Sequence, residues 1–325
     1  MVNVNGPRVV VIGGGTGMPV LLRGLKNLPI HLTALVTVAD DGGSTGILRH
    51  ELDIPAPGDI RNVIAALSDA EPMLLKLFQH RFSMGNGLSG HSMGNLLLAA
   101  MTSLTGNFYT GIKEISRVLN VKGEILPISN ENMTLHAEMA DGSIVSGESK
   151  IPLANKKIKR VFITPEHVRP LPNAIEAIHK ADLIVISPGS LYTSILPNLI
   201  IPEMDRAIRD AKGKVVYVCN VMTQAGETAG YTASDHIRAI CNHIGEGSID
   251  SIVVHNEAIS PKVRAFYAEE NAEPVYYDIE QLLDMGLQVI EGDIVKYTQN
   301  TVRHDTDKIA KLLYSLITSC GKGSG

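Results

Sequence analysis

The sequence predicts an α/β fold: a mostly parallel sheet with helices on both faces and a small antiparallel insertion. Three observations carry that expectation. Short runs rich in Val and Ile alternate with stretches of helical spacing. The runs are apolar at successive positions, as strands covered on both faces must be. One segment, 121–160, breaks the pattern and alternates apolar with polar residues.

In chain order, the first strand is 9–12, which runs through glycines into a helix at 18–28. A second strand at 34–38 precedes helices at 60–68, 93–104 and 112–119. "GEILPIS" and "AEMADGSIVSGES" then alternate around a turn at Asp141 and Gly142, which predicts one or two hairpins. The α/β pattern returns with a helix at 173–179 and strands at 183–186, 215–218 and 252–254. Helices at 235–244 and 263–270 follow the last two of these strands, and a final helix spans 307–317. The organisation expected is an N-terminal α/β half, 1–120, the insertion, 121–160, and a C-terminal half, 161–318, sharing one sheet. The end, 319–325, reads as a flexible tail, because "GKGSG" has no packing signal.

Of the 325 residues, 44% are hydrophobic and 19% charged, the balance of a soluble globular protein. A net charge of −5 argues against a nucleic-acid binder, which needs a basic face. No apolar run approaches the roughly 18 residues of a membrane span, and "MVNVNGPR" lacks the regions of a signal peptide. Cys219, Cys241 and Cys320 lie far apart, which suits inert thiols in a reducing cytoplasm and offers no metal spacing.

Directly behind the first strand stand Gly13, Gly14, Gly15, Thr16 and Gly17. Ligands of open parallel sheets bind beyond the carboxyl ends of the strands. Glycines there leave backbone donors bare, and the helix that follows offers free N–H groups to an anion. The spacing is neither GxGxxG nor a Walker A loop, yet a turn alone would need one glycine, so a phosphate site is favoured. "ADDGGSTG" repeats the arrangement after the second strand. Ser44 can add a hydroxyl to a phosphate. Asp40 or Asp41 can hold a ribose, as in an NAD site, coordinate Mg²⁺, or act as a base.

Asp59 is expected to cap the helix at 60–68, while Asn62 can reach the same cleft. "GHSMG", 90–94, matches a nucleophile elbow but lacks the apolar strand before it; Ser92 reads as a helix cap instead, and His91 as structural. Later strand ends carry neutral hydrogen-bonding groups: Ser187, Gly189 and Ser190, then Asn220, Thr223 and Gln224, then His255 and Asn256 beside Glu257. Such groups suit a base, a sugar or an amide better than metal-assisted hydrolysis. Asp305 or Thr306 can cap the last helix. Arg303 either pairs with a diphosphate across the cleft or is an ordinary surface residue.

Seven stretches, in order, resemble a known family: "VVVIGGGTGMPVLLRGLK", "TALVTVADDGGSTGILR", "PAPGDIRNVIAAL", "GHSMGNLLLAA", "VISPGSLYTSILPNLIIP", "YVCNVMTQAGET" and "VRHDTDKIA". The family is that of the gluconeogenesis factors, the YvcK-type branch of the YvcK/CofD-like superfamily, and the similarity spans residues 7–318. The resemblance implies a Rossmann-like fold in a cytoplasmic bacterial protein that binds UDP-sugars, UDP-N-acetylglucosamine above all. It implies a regulatory role in cell shape and cell-wall precursor supply during gluconeogenic growth, exerted on a regulated enzyme or other protein partner. It places Arg303 in UDP-sugar binding and makes Thr306 a candidate phosphorylation site for a Ser/Thr kinase. A homodimer fits a chain of this kind. In the transferase branch the equivalent acids surround a metal and a guanosine-type donor. A Mg-dependent phospholactyl-type transferase is therefore the alternative to a binding protein, and an NAD-binding protein is a further one. On the first reading Gly13 to Gly17 and Ser44, joined by Ser190, hold the diphosphate. Asn220, Thr223 and Gln224 read the base or sugar.

Overall fold

The computed structural model describes residues 6–320. Its strands are β1 (Arg8–Gly13), β2 (His31–Val36), β3 (Glu124–Pro127), β4 (Thr134–Met139), β5 (Ile144–Ser146) and β6 (Ile158–Thr164). They continue with β7 (Leu183–Ile186), β8 (Lys214–Val218), β9 (Ser251–His255), β10 (Gln288–Gly292), β11 (Val295–Thr298) and β12 (Thr301–His304). Seven of them form one parallel sheet in the order β10-β9-β8-β7-β1-β2-β3. Every residue of β7 and nearly every one of β1 is buried, so helices must cover both faces of the sheet centre. The expected α/β class is what the chain adopts, and the doubly wound strand order is Rossmann-like.

Leu21, Leu22 and Leu25 of helix Gly17–Leu25 are fully or almost fully buried, and the helix packs on helix Pro57–Leu67 and on the last helix, Thr306–Cys320. Ser92 accepts from Asn95 N and caps helix Met93–Thr105, as expected. Asp305 caps the last helix by accepting from the amides of Asp307 and Lys308 at 3.0 Å.

Four expectations need correction. "GEILP" is no part of an antiparallel excursion: β3 pairs in parallel with β2 and forms an edge of the main sheet. The hairpin around Asp141 exists as β4 and β5, but its third strand, β6, reaches Thr164. The second strand ends at Val36 rather than 38. The "GGSTG" loop is not a loop, because Gly43 opens a helix, Gly43–Leu52. Helix Pro72–Gln79, the edge strand β10 and the β11–β12 hairpin were not expected. Cys219 and Cys241 are buried, and burial pushes their thiols up to about 12 and about 11, so both are inert near neutrality. The last helix carries residues 319 and 320; the rest of the expected tail and the side chain of Cys320 lie outside the described residues.

Candidate functional site at the switch point of the sheet

β1 and β7 are neighbours, yet the chain leaves them in opposite directions, from β1 toward β2 and from β7 toward β8. A doubly wound sheet opens a crevice at this point. A cavity of about 470 Å³ lies there. Gly15, Thr16 and Gly17 form one wall, Ser190 and Ser194 a second, and Asn220, Thr223 and Gln224 a third. Arg303 and His304 close it from β12.

The glycine wall is dictated by contact as much as by ligand access. A Cβ on Gly17 would lie 2.2 Å from Pro188 O, and Gly15 has φ +63°. Thr16 makes no side-chain cap, so the first-turn amides of helix Gly17–Leu25 have no hydroxyl or carboxylate cap from it. The amide of Gly15 is taken: it donates to Asp59 Oδ2 at 2.9 Å. Asp59 therefore does not cap its own helix, whose N-cap is Ala56; it reaches across to the loop. Burial raises its carboxyl to about 6, against the lowering effect of the Gly15 amide.

On the β7 side, Gly189 and Asn220 exchange two hydrogen bonds, Gly189 N to Asn220 Oδ1 at 3.0 Å and Asn220 Nδ2 to Gly189 O at 2.7 Å. Gln224 Nε2 donates to Ser190 Oγ at 2.9 Å, while its Oε1 is buried without a partner among the described residues. Thr223 donates N–H to Glu273 O and accepts at Oγ1 from Glu273 N, which fixes it in the cavity wall. A turn of π-helix, Leu191–Ile195, follows Ser190; such turns recur at functional sites. Buried Glu227 anchors that turn by accepting from Tyr192 N at 3.0 Å and Thr193 Oγ1 at 2.8 Å.

Arg303 is exposed, and its Nη1 donates to the Tyr267 hydroxyl at 3.2 Å. Among the described residues it is the one guanidinium on the cavity wall, and no carboxylate lines that wall. Burial holds the neighbouring His304 down at about 4, so that ring stays neutral near pH 7.

The remaining predicted residues lie elsewhere. Gly13, Gly14 and Ser187 sit behind the wall; a Cβ on Gly13 would fall 2.1 Å from Ser187 Oγ. Ser44 is buried in a side-chain network, 3.0 Å from His91 Nδ1 and accepting from Asn95 Nδ2 at 3.2 Å. It cannot hold a diphosphate in the switch-point cavity. Asp40, Asp41 and Asn62 belong to an acidic cluster on the other side of the glycine loop. Asp40 accepts from Gly42 N and Asp41 from Ser149 N, each at 2.9 Å, while Asn62 hydrogen-bonds to Asp59 and accepts from Arg61. Glu148 completes the cluster. Burial, then the charges of Asp40, Asp59, Asp41 and Glu227, push its carboxyl up to about 8. Glu148, just past Gly147 and the end of β5, and Tyr267, inside helix Pro261–Ala268, were not among the residues the sequence singled out.

Asp40, Asp41 and Asp59 each have one oxygen on a main-chain amide. Among the described residues no three His, Cys, Asp or Glu side chains are arranged to hold a metal ion. The donor set suits Mg²⁺ only in its common mode, one or two carboxylates completed by substrate phosphate oxygens.

The fold defines a doubly wound α/β protein with a polar crevice at its switch point. Its relatives narrow this further. The profile of the family described as "2-phospho-L-lactate transferase CofD" matches residues 9–295, and the chain belongs to that family, within its gluconeogenesis factor branch. It is 57% identical over 311 residues to the "Gluconeogenesis factor" of Bacillus subtilis, covering 96% of this chain and 98% of that one. It is 59% identical over 305 residues to the protein of the same name from Halalkalibacterium halodurans, covering 94% and 95%. A crystal structure of a Bacillus halodurans protein superposes with a TM-score of 0.93 at 59% identity, over 95% of this chain and all of that one. No helix among the described residues is long and apolar enough to cross a membrane.

Proposed function

We propose that the protein is a cytoplasmic regulatory protein that binds a nucleotide diphosphate sugar of the UDP-N-acetylglucosamine type. The observation that carries this is the composition of the switch-point cavity. One guanidinium, helix-terminal amides and neutral side chains face it, with no carboxylate. That set suits a diphosphate flanked by polar rings. The names of the relatives support a role in growth on gluconeogenic carbon sources, and we extend it to cell shape and cell-wall precursor supply through a protein partner. Thr306 opens the last helix, and its main-chain O packs where a Cβ on Gly24 would come within 2.3 Å. A phosphate added there would act on the helix that carries the glycine loop.

Calorimetric titration with UDP-N-acetylglucosamine, NAD and GTP, with and without Mg²⁺, tests the reading. The uridine sugar is expected to bind without metal, and Arg303→Ala to weaken it at least about tenfold, a loss on the scale of one charge-assisted contact. Unchanged affinity in that variant would overturn the assignment of Arg303.

The acidic cluster favours a second reading, transfer of a phosphorus-containing group. Mg²⁺ bound at delivery of the donor would supply charge neutralisation at phosphate. Asp40 and Asp41, each with one carboxyl oxygen on a main-chain amide, would hold it. Metal-dependent loss of intact nucleotide over hours would support this alternative.

A further inference from the structure

Apolar side chains left open by the fold are gathered in one place. Eight of the fifteen large apolar side chains exposed among the described residues lie on helices Gly43–Leu52, Pro72–Gln79 and Met93–Thr105, or on the loop that joins the last two. The three helices are adjacent, since the first and second both pack on the third. Leu77 is 48% exposed, Leu97 41% and Leu104 80%. Single apolar side chains on a surface are ordinary, but a gathered set marks an interaction site.

Helix Met93–Thr105 is apolar on both sides. Its inner side buries Leu98 and Ala99. Its outer side exposes Leu97, Ala100 and Leu104, at the i, i+3 and i+7 spacing of one helical stripe. No residue of this helix is charged. A helix that is apolar all round belongs to an interior, yet nothing among the described residues covers the outer stripe.

Charge and size decide what covers it. From Pro72 to Ile112 the chain has no Asp or Glu, and Lys76 and Arg81 are its only Lys or Arg. A membrane surface selects amphipathic faces rich in Lys and Arg, which two cations do not supply. Transient partners meet surfaces about as polar as the rest of a protein, whereas homodimer interfaces are more apolar. In a two-fold dimer each patch meets its own copy, so a strongly charged patch would repel itself, and this one has little charge. Nineteen residues of segment 72–105 are exposed, close to the roughly 20–30 that each side of a stable interface uses.

We propose that two copies of the chain associate through this face, helices Pro72–Gln79 and Met93–Thr105 of one copy packing on the same helices of the other. The dimer forms whether or not the crevice binds a nucleotide. Its interface backs onto the acidic cluster, because helix Gly43–Leu52 follows Asp40 and Asp41, and its Ser44 is held by His91 and Asn95.

Sedimentation velocity of the full chain at micromolar concentration tests the assignment. Wild type is expected to sediment as a dimer. Leu97→Glu and Leu104→Glu each place an unpaired carboxylate in the contact and are expected to weaken the dimer at least about a hundredfold. Leu153→Glu, at a side chain 81% exposed outside this face, should leave it intact. Circular dichroism of Leu104→Glu should match wild type, since that side chain supports no packing within one copy. A wild-type monomer overturns the proposal, and so does a dimer that both glutamate variants leave unchanged. A monomer that floats with anionic phospholipid vesicles, and loses that binding in Leu104→Glu, overturns it in favour of a lipid surface.

Discussion

Burial first, and then the charges of Asp40, Asp59, Asp41 and Glu227, keep a proton on Glu148 at neutral pH. Its carboxyl titrates near 8 in the folded protein, against the ordinary 4.5. The folded state thus binds more protons than the unfolded one between those values. Its contribution to stability is full below about 4.5, falls as pH climbs, and levels off above about 8. Glu148→Gln keeps a neutral group at every pH. Its melting temperature should match wild type at pH 5 and exceed it by about 3 °C at pH 8. Superimposable melting curves at both pH values would show that Glu148 is solvated and ordinary. Asp59 shows the same physics at a smaller shift: it stays useful as an acceptor only because the Gly15 amide meets it.

At the scale of elements, two loops touch where β1 and β7 end. Adding one methyl at Gly17 drives Cβ to 2.2 Å from Pro188 O, a main-chain atom with no freedom to retreat. Gly17→Ala should cost about 2 kcal/mol in urea unfolding, as overpacking does, and should also weaken nucleotide binding. Unaltered stability would mean the loops are less closely joined than described. This contact explains what the sequence could and could not show. Buried strands such as 9–12 and 183–186 were legible, because a fully covered strand has no polar position to blur its pattern. The glycine loop was legible as a site, but several of its glycines answer to Pro188, Ser187 and Asp59 rather than to a ligand. That requires knowing which loops meet. Asp59 stood where a helix cap belongs, and local spacing could not reveal its partner 44 residues away. Ser44 looked like a phosphate ligand because its helix was unrecognised; once Gly43 opens that helix, the hydroxyl turns to His91 and Asn95. Arg303 lies on the short β11–β12 hairpin; its residue type left a diphosphate partner and an ordinary surface residue both open, and the family resemblance favoured the first.

Across the whole molecule, the sheet gathers one cation and a set of neutral donors on one side of the glycine loop, and carboxyl groups on the other. A diphosphate bound on the first side would be kept apart from the acids that repel it. A ligand that prefers the folded state should raise the melting temperature with concentration, by mass action. The most direct measurement is a crystal structure of the protein grown with UDP-N-acetylglucosamine and no divalent metal. Diphosphate density between the amides after Thr16 and the guanidinium of Arg303 is the expected result. Nucleotide found instead among Asp40, Asp41 and Asp59, with the crevice between β1 and β7 free of ligand, would contradict the account.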